Sequence, residues 1–189
     1  ERNDSFFCSE ESNYQPQFLE FDSSGFQMND AEINMIVKIC SISLYCISRF
    51  ASRGRMVATW CLENDVVQTI LSNVQSINCQ NQIKREASRC LCELILNINI
   101  DQSLSMLYQS DQLLDLLFNI LEYDEYDMNI LILHTFMYLI GLEDTGICFL
   151  MQKCSENLNI FIDLLQSENN ETALLAHQFL DIFESKNLN

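Results

Sequence analysis

The chain has one proline, Pro16, and four glycines among 189 residues. So few breakers exclude a turn-dense β fold and favour long helices. They also leave little from which to build a phosphate cradle or an oxyanion hole. No nucleophile elbow or glycine-rich phosphate loop is present. Histidine is as scarce: His134 and His177 are the only two. A metal site wants Cys and His clustered at ligand spacing, and nucleophilic catalysis wants a Cys or Ser beside a His and an orienting acid. Neither pattern occurs, so no metal, no cofactor and no enzymatic activity are expected. Basic residues are also few: ten Lys and Arg against 27 acids, for a net charge of −17. That balance argues against binding the nucleic-acid backbone or an anionic membrane surface.

No uninterrupted apolar run approaches the roughly 18 residues that a bilayer span requires. The most apolar stretch, Asn129 to Leu142, is broken by His134 and Thr135 and reads as a buried helix. The N-terminus carries no signal-peptide pattern. The first residue is Glu1 and not Met, as expected of a piece of a longer protein.

Cysteine, in contrast, is plentiful: nine, scattered from Cys8 to Cys154, mostly inside apolar patterns. There a thiol behaves as a small hydrophobe. A disulfide framework belongs to small secreted chains, so a reducing cytoplasmic or nuclear home is expected. The sequon Asn170-Glu171-Thr172 then reads as a chance match. Cys90 and Cys92 form the one close pair. Two residues apart on a helix, they point to different sides.

Charge is unevenly spread. Residues 1–32 carry eight acids and one base, a balance of −7; residues 33–100 carry seven bases and four acids, +3; residues 101–189 carry fifteen acids and two bases, −13. Residues 1–29 are polar and acidic, with Phe6, Phe7, Tyr14, Phe18, Phe21 and Phe26 scattered singly. They keep no helical or strand period and read as a flexible or peptide-like segment. From Asp30 to residue 189 the pattern is helical, with Asn29-Asp30 a plausible cap.

That second part repeats. Ile70, Leu71 and Val74 are followed by a polar link and then Ile83, Ala87, Cys90, Leu91 and Leu94. Leu117, Ile120 and Leu121 are followed by a link and then Met128, Ile132, Phe136, Leu139 and Ile140. Phe161, Leu164 and Leu165 are followed by a link and then Thr172, Ala176, Phe179, Leu180 and Phe183. The later helix of each pair starts at Ile83, Met128 and Thr172, steps of 45 and 44 residues. A partial unit fits at Ile39, Ser43, Cys46, Ile47 and Phe50. Such apolar positions share one broad helix face. No single unit can bury that face alone, but stacked units share a core. A short helix is expected before each pair, at Met56 to Leu62, Leu104 to Tyr108 and Ile147 to Gln152.

Three-helix units of this length resemble the armadillo repeat, over roughly residues 33–185. Leu117 to Leu121 and Met128 to Ile140 carry the resemblance best, and HEAT repeats are the nearest relative pattern. The resemblance implies an all-α fold: a right-handed superhelix of about three full repeats plus an N-terminal partial one. It also implies that third helices line a concave groove. The groove-facing positions would be Tyr45 and Arg49, Arg89 and Glu93, His134 and Tyr138, Gln178 and Ile182, with Arg85 one turn before Arg89. Importin-type arrays carry an Asn ladder that grips a peptide backbone. The matching positions here are Arg49, Glu93, Tyr138 and Ile182, so recognition of nuclear localisation signals is not implied.

The expected function is a protein–protein interaction scaffold that offers this groove to a peptide or helix of a partner. Its basic end is Arg49, Arg85 and Arg89, and its aromatic middle is Tyr138. The acidic N-terminal segment is a candidate occupant in cis or in trans. The link holding Glu122, Asp124, Glu125 and Asp127 is a candidate contact for a basic segment. The alternative is a structural assembly module, whose exposed edge at Ile33, Ile36 and Ile39 packs on another copy or domain.

Overall fold

The computed structural model of the chain describes residues 29–76, 81–108, 111–122, 126–141 and 147–187. Among these there are ten helices and no strand. They are α1 (Asp30–Ala51), α2 (Arg55–Glu63), α3 (Val66–Ser76), α4 (Asn81–Asn97), α5 (Ile100–Tyr108), α6 (Asp111–Leu121), α7 (Tyr126–Gly141), α8 (Ile147–Glu156), α9 (Leu158–Leu164) and α10 (Asn170–Asn187). Residues 1–28 of the expected N-terminal segment lie outside the described residues, as do Cys8, Cys79, Asp124 and Glu125.

Local chemistry sets the helix starts. Asn29 caps α1 in a capping box: its Oδ1 accepts from the Glu32 N–H at 3.0 Å, and its own N–H donates to Glu32 Oε2 at 2.9 Å. These bonds satisfy donors that the first turn leaves without helical partners. Asn99 accepts from the Gln102 N–H at 2.8 Å before α5, and Asn169 accepts from the N–H groups of Glu171 and Thr172 before α10. Asp65 joins α2 to α3 at φ 55°, a left-handed conformation that Asp tolerates better than most side chains.

The long helices form a row. α1 packs on α4, α4 on α7, and α7 on α10. α3 packs on α4, α6 on α7, and α9 on α10, while α2, α5 and α8 precede each pair. The starts of α4, α7 and α10, at 81, 126 and 170, are 45 and 44 residues apart. One cluster of buried side chains runs from Ala51 to Phe183. α4 sits in the middle of it and buries Ile83, Ala87, Cys90, Leu91, Cys92, Leu94 and Ile95 despite its charged residues.

Two expectations change here. The partial unit takes a different register. Ile39, Cys46 and Phe50 are exposed, and the buried face of α1 is Val37, Ser41, Ser48 and Ala51 with Leu44 between them. The inner face is therefore displaced by two residues from the one that Ile39 heads. Its small serines let α1 lie close along α4, and Ser48 Oγ satisfies itself on the Tyr45 carbonyl at 2.9 Å. The second change concerns α1 as a whole. Counting uninterrupted apolar residues passes it over, yet α1 is long and apolar enough to cross a membrane by length and composition. It lies against α4 instead, with only one side covered.

Candidate functional site

The positions expected to face a groove lie on helices whose opposite faces are fixed in the core. On α4, Cys90 and Leu94 are buried, while Arg89 and Glu93, one residue before each, are half-buried. On α7, Thr135 and Leu139 are buried, while His134 is exposed and Tyr138 half-buried. On α10, Phe179 and Phe183 are buried, while Gln178 is exposed and Ile182 half-buried. The three helices thus leave the same pair of positions less buried than their core neighbours, although Tyr138 and Ile182 still pack against the core's edge. On α1 the displaced register breaks the pattern: Tyr45 and Arg49 are exposed, but so are Cys46 and Phe50.

Charge gathers where α1 meets α4. Arg89 Nε lies 3.4 Å from Glu86 Oε2, one turn earlier on α4. Burial pushes the Glu93 carboxyl above the usual carboxylate range, and the nearby Arg49 and Arg89 guanidiniums pull it part of the way back. Arg49, Arg89 and Glu93 therefore come together from two helices. Arg85 is half-buried on α4 and has an interaction of its own within the protein. The expected basic end is therefore mixed: Arg49 and Arg89 stand with Glu86 and Glu93. The i,i+3 spacing of Glu86 and Arg89 carried the signal for this pairing.

His134 and Tyr138 lie one turn apart on α7. His177 does not join them; its Nδ1 is 3.0 Å from Asp181 Oδ2 on its own helix. The close cysteine pair diverges as helix geometry requires. Cys90 lies toward Cys61 of α2, and Cys92 lies beside Thr135 of α7, whose Oγ1 donates to the Leu131 carbonyl at 2.8 Å. Burial pushes both thiols up to about 12.

The acidic link is part of a different feature. A cleft of about 700 Å³ opens between the end of α6 and the link that follows α9. Glu122, Tyr126, Asn159, Asp163 and Glu168 line it. Glu122 came from the sequence; Asp163 and Glu168 did not. Glu168 stands on the corresponding link of the next unit and Asp163 on α9 just before it, so comparing units one repeat apart would have pointed to Glu168.

No protein-family profile matches the chain, and no curated protein matches it. A crystal structure of an engineered protein is similar in fold, with a TM-score of 0.61 at 14% identity over 82% of this chain. The chain spans 63% of that protein's length. At this identity the likeness concerns the helical fold alone.

Proposed function

We infer that the chain is an armadillo-like helical array that holds a peptide or helix of a partner protein along its third-helix row. The observation that carries this reading is the repeated exposure pattern. Arg89 and Glu93, His134 and Tyr138, Gln178 and Ile182 are exposed or only half-buried at the same two positions of three neighbouring helices. A surface built this way is continuous across units, as a binding groove must be. Arginine and tyrosine are frequent anchors of protein interfaces.

The absence of an asparagine ladder directs recognition to side chains. An acidic residue of the partner would meet Arg49 and Arg89, and an apolar one would lie on Tyr138. Peptides selected from a random display library against the whole chain test this. Arg49→Glu and His134→Glu alter exposed side chains, so the fold should survive them. We expect each to weaken the selected peptides about tenfold or more, a loss of roughly 1.4 kcal/mol. Unchanged affinity for both variants would remove the groove from the account.

A further inference from the structure

α1 is covered on one side only. Val37, Ser41, Leu44, Ser48 and Ala51, spaced by four and three, turn one face to the protein. Met35, Ile39, Ile42, Cys46 and Phe50, spaced four, three, four and four, fall on the opposite face. Met35 is 64% exposed, Ile39 54%, Ile42 63% and Phe50 63%, and Cys46 is exposed. On α2, which packs against α1, Met56 and Trp60 are also exposed.

This stripe has the size and shape of an interface. Monomeric soluble proteins rarely leave contiguous apolar patches of more than a few hundred Å² in water. Large side chains carry about 150–250 Å² each. With half or more of that area in water, these residues together offer on the order of 800 Å², what one partner contributes to a standard interface. The four-three-four spacing along α1 is the seam spacing of paired helices, so the complementary shape is another helix.

Charge selects which helix. Copies of a chain with a net charge of −17 repel one another through most of their surface. α1 is an exception: Asp30 and Glu32 balance Lys38 and Arg49. The helix at the other end of the row, α10, carries Glu171, Asp181 and Glu184 against Lys186, a balance of −2. Two copies therefore meet at least electrostatic cost through α1. We propose that the outer face of α1 is a self-association surface on which a second copy of this chain seats its own α1. The site is separate from the third-helix groove and does not depend on it.

Sedimentation velocity of the full chain under reducing conditions tests this, at loading concentrations from about 1 to about 100 µM, bracketing a micromolar dissociation constant. We expect a monomer–dimer equilibrium. Ile42→Asp should raise the dissociation constant about 30-fold or more, as the loss of a central anchor does. Its circular dichroism should stay unchanged, and its Tm should match that of the unmutated chain at concentrations where both are monomeric, because Ile42 faces water in the monomer. Ile42→Leu should keep the dimer. A concentration-independent monomer overturns the proposal, whether residues 1–28 or a lipid surface covers the face instead; phosphatidylcholine vesicles added to the same sample would reveal the lipid occupant. A dimer that survives Ile42→Asp combined with Phe50→Asp overturns it equally.

Discussion

Phe161 of α9 stacks on Phe179 of α10, with ring centroids 4.2 Å apart and planes 19° from parallel. Both rings are fully buried. Phe118 and Phe136 of the preceding pair of helices extend the chain of rings: Phe136 lies 6.3 Å from Phe179, and Phe118 meets Phe161 edge-on at 6.1 Å. The aromatic contacts therefore tie one three-helix group to the next. α9 has only seven residues, too few to be stable by itself, so its place depends on this packing.

Phe161→Ala should consequently destabilise the protein by about 3–5 kcal/mol, the cost of removing a buried phenyl ring and leaving a cavity. Urea unfolding followed by circular dichroism measures it. A loss below about 1 kcal/mol would mean that the rings are not a structural tie.

Thiol reactivity should divide six of the seven described cysteines into two groups, with the half-buried Cys40 between them. Cys46 and Cys148 are exposed, while Cys61, Cys90, Cys92 and Cys154 are buried. Burial raises the pKa of each of these four thiols, to about 12 for Cys90 and Cys92. The thiolate is the reacting form. Iodoacetamide at pH 8 followed by peptide mass spectrometry should label Cys46 and Cys148 first and the four buried thiols only after unfolding. Early labelling of Cys92 would contradict the packing of α4 on α7.

Glu93 gives a pH dependence. Its folded-state pKa is raised, chiefly by burial. The stability it contributes is thus fully present below the ordinary carboxylate pKa and lost as pH rises through the raised value. Glu93→Gln removes the ionisation. The variant's Tm relative to the unmutated chain should therefore climb between pH 4 and pH 7. A relative Tm that falls over this range would show that Arg49 and Arg89 outweigh the burial.

Asn129 on α7 is fully buried, and neither its amide nitrogen nor its oxygen finds a hydrogen-bond partner within the protein. Replacing such a group by an apolar one of similar size removes a desolvation cost. Asn129→Leu is expected to stabilise the protein by about 1 kcal/mol or more, read as a shift of the urea midpoint. Destabilisation of that size would reveal a polar contact that the side chain needs.

Helix positions were largely legible because α4 sets a clearly apolar face against a polar one, and the spacing of its apolar residues recurs in α7 and α10. Ile83, Ala87, Cys90 and Leu94 can occupy only one side, and their repeat in α7 and α10 sets the spacing. α1 defeats the same reasoning. It is apolar on both faces, so periodicity alone does not choose between the Ile39 face and the Val37 face. The choice falls to packing: Ser41 and Ser48 are small enough for close approach to α4, and a hydrophobicity count passes over serines. The free edge accordingly runs through Met35, Ile39, Ile42 and Phe50, whereas Ile36 turns partly inward and Ile33 lies at its margin. The acidic cleft was half legible. Glu122 stood out within its own link, but the cleft also takes Asp163 of α9 and Glu168 of the next link, which only the fold brings to Glu122.

The most direct test of the proposed function is a hydrogen-exchange footprint of the full chain bound to a peptide selected from the display library. Protection should concentrate on α4 and α7, around Arg89, Glu93, His134 and Tyr138. Protection confined to the cleft at Glu122, Asp163 and Glu168, or to the outer face of α1, would contradict the claim that the third-helix row holds the partner.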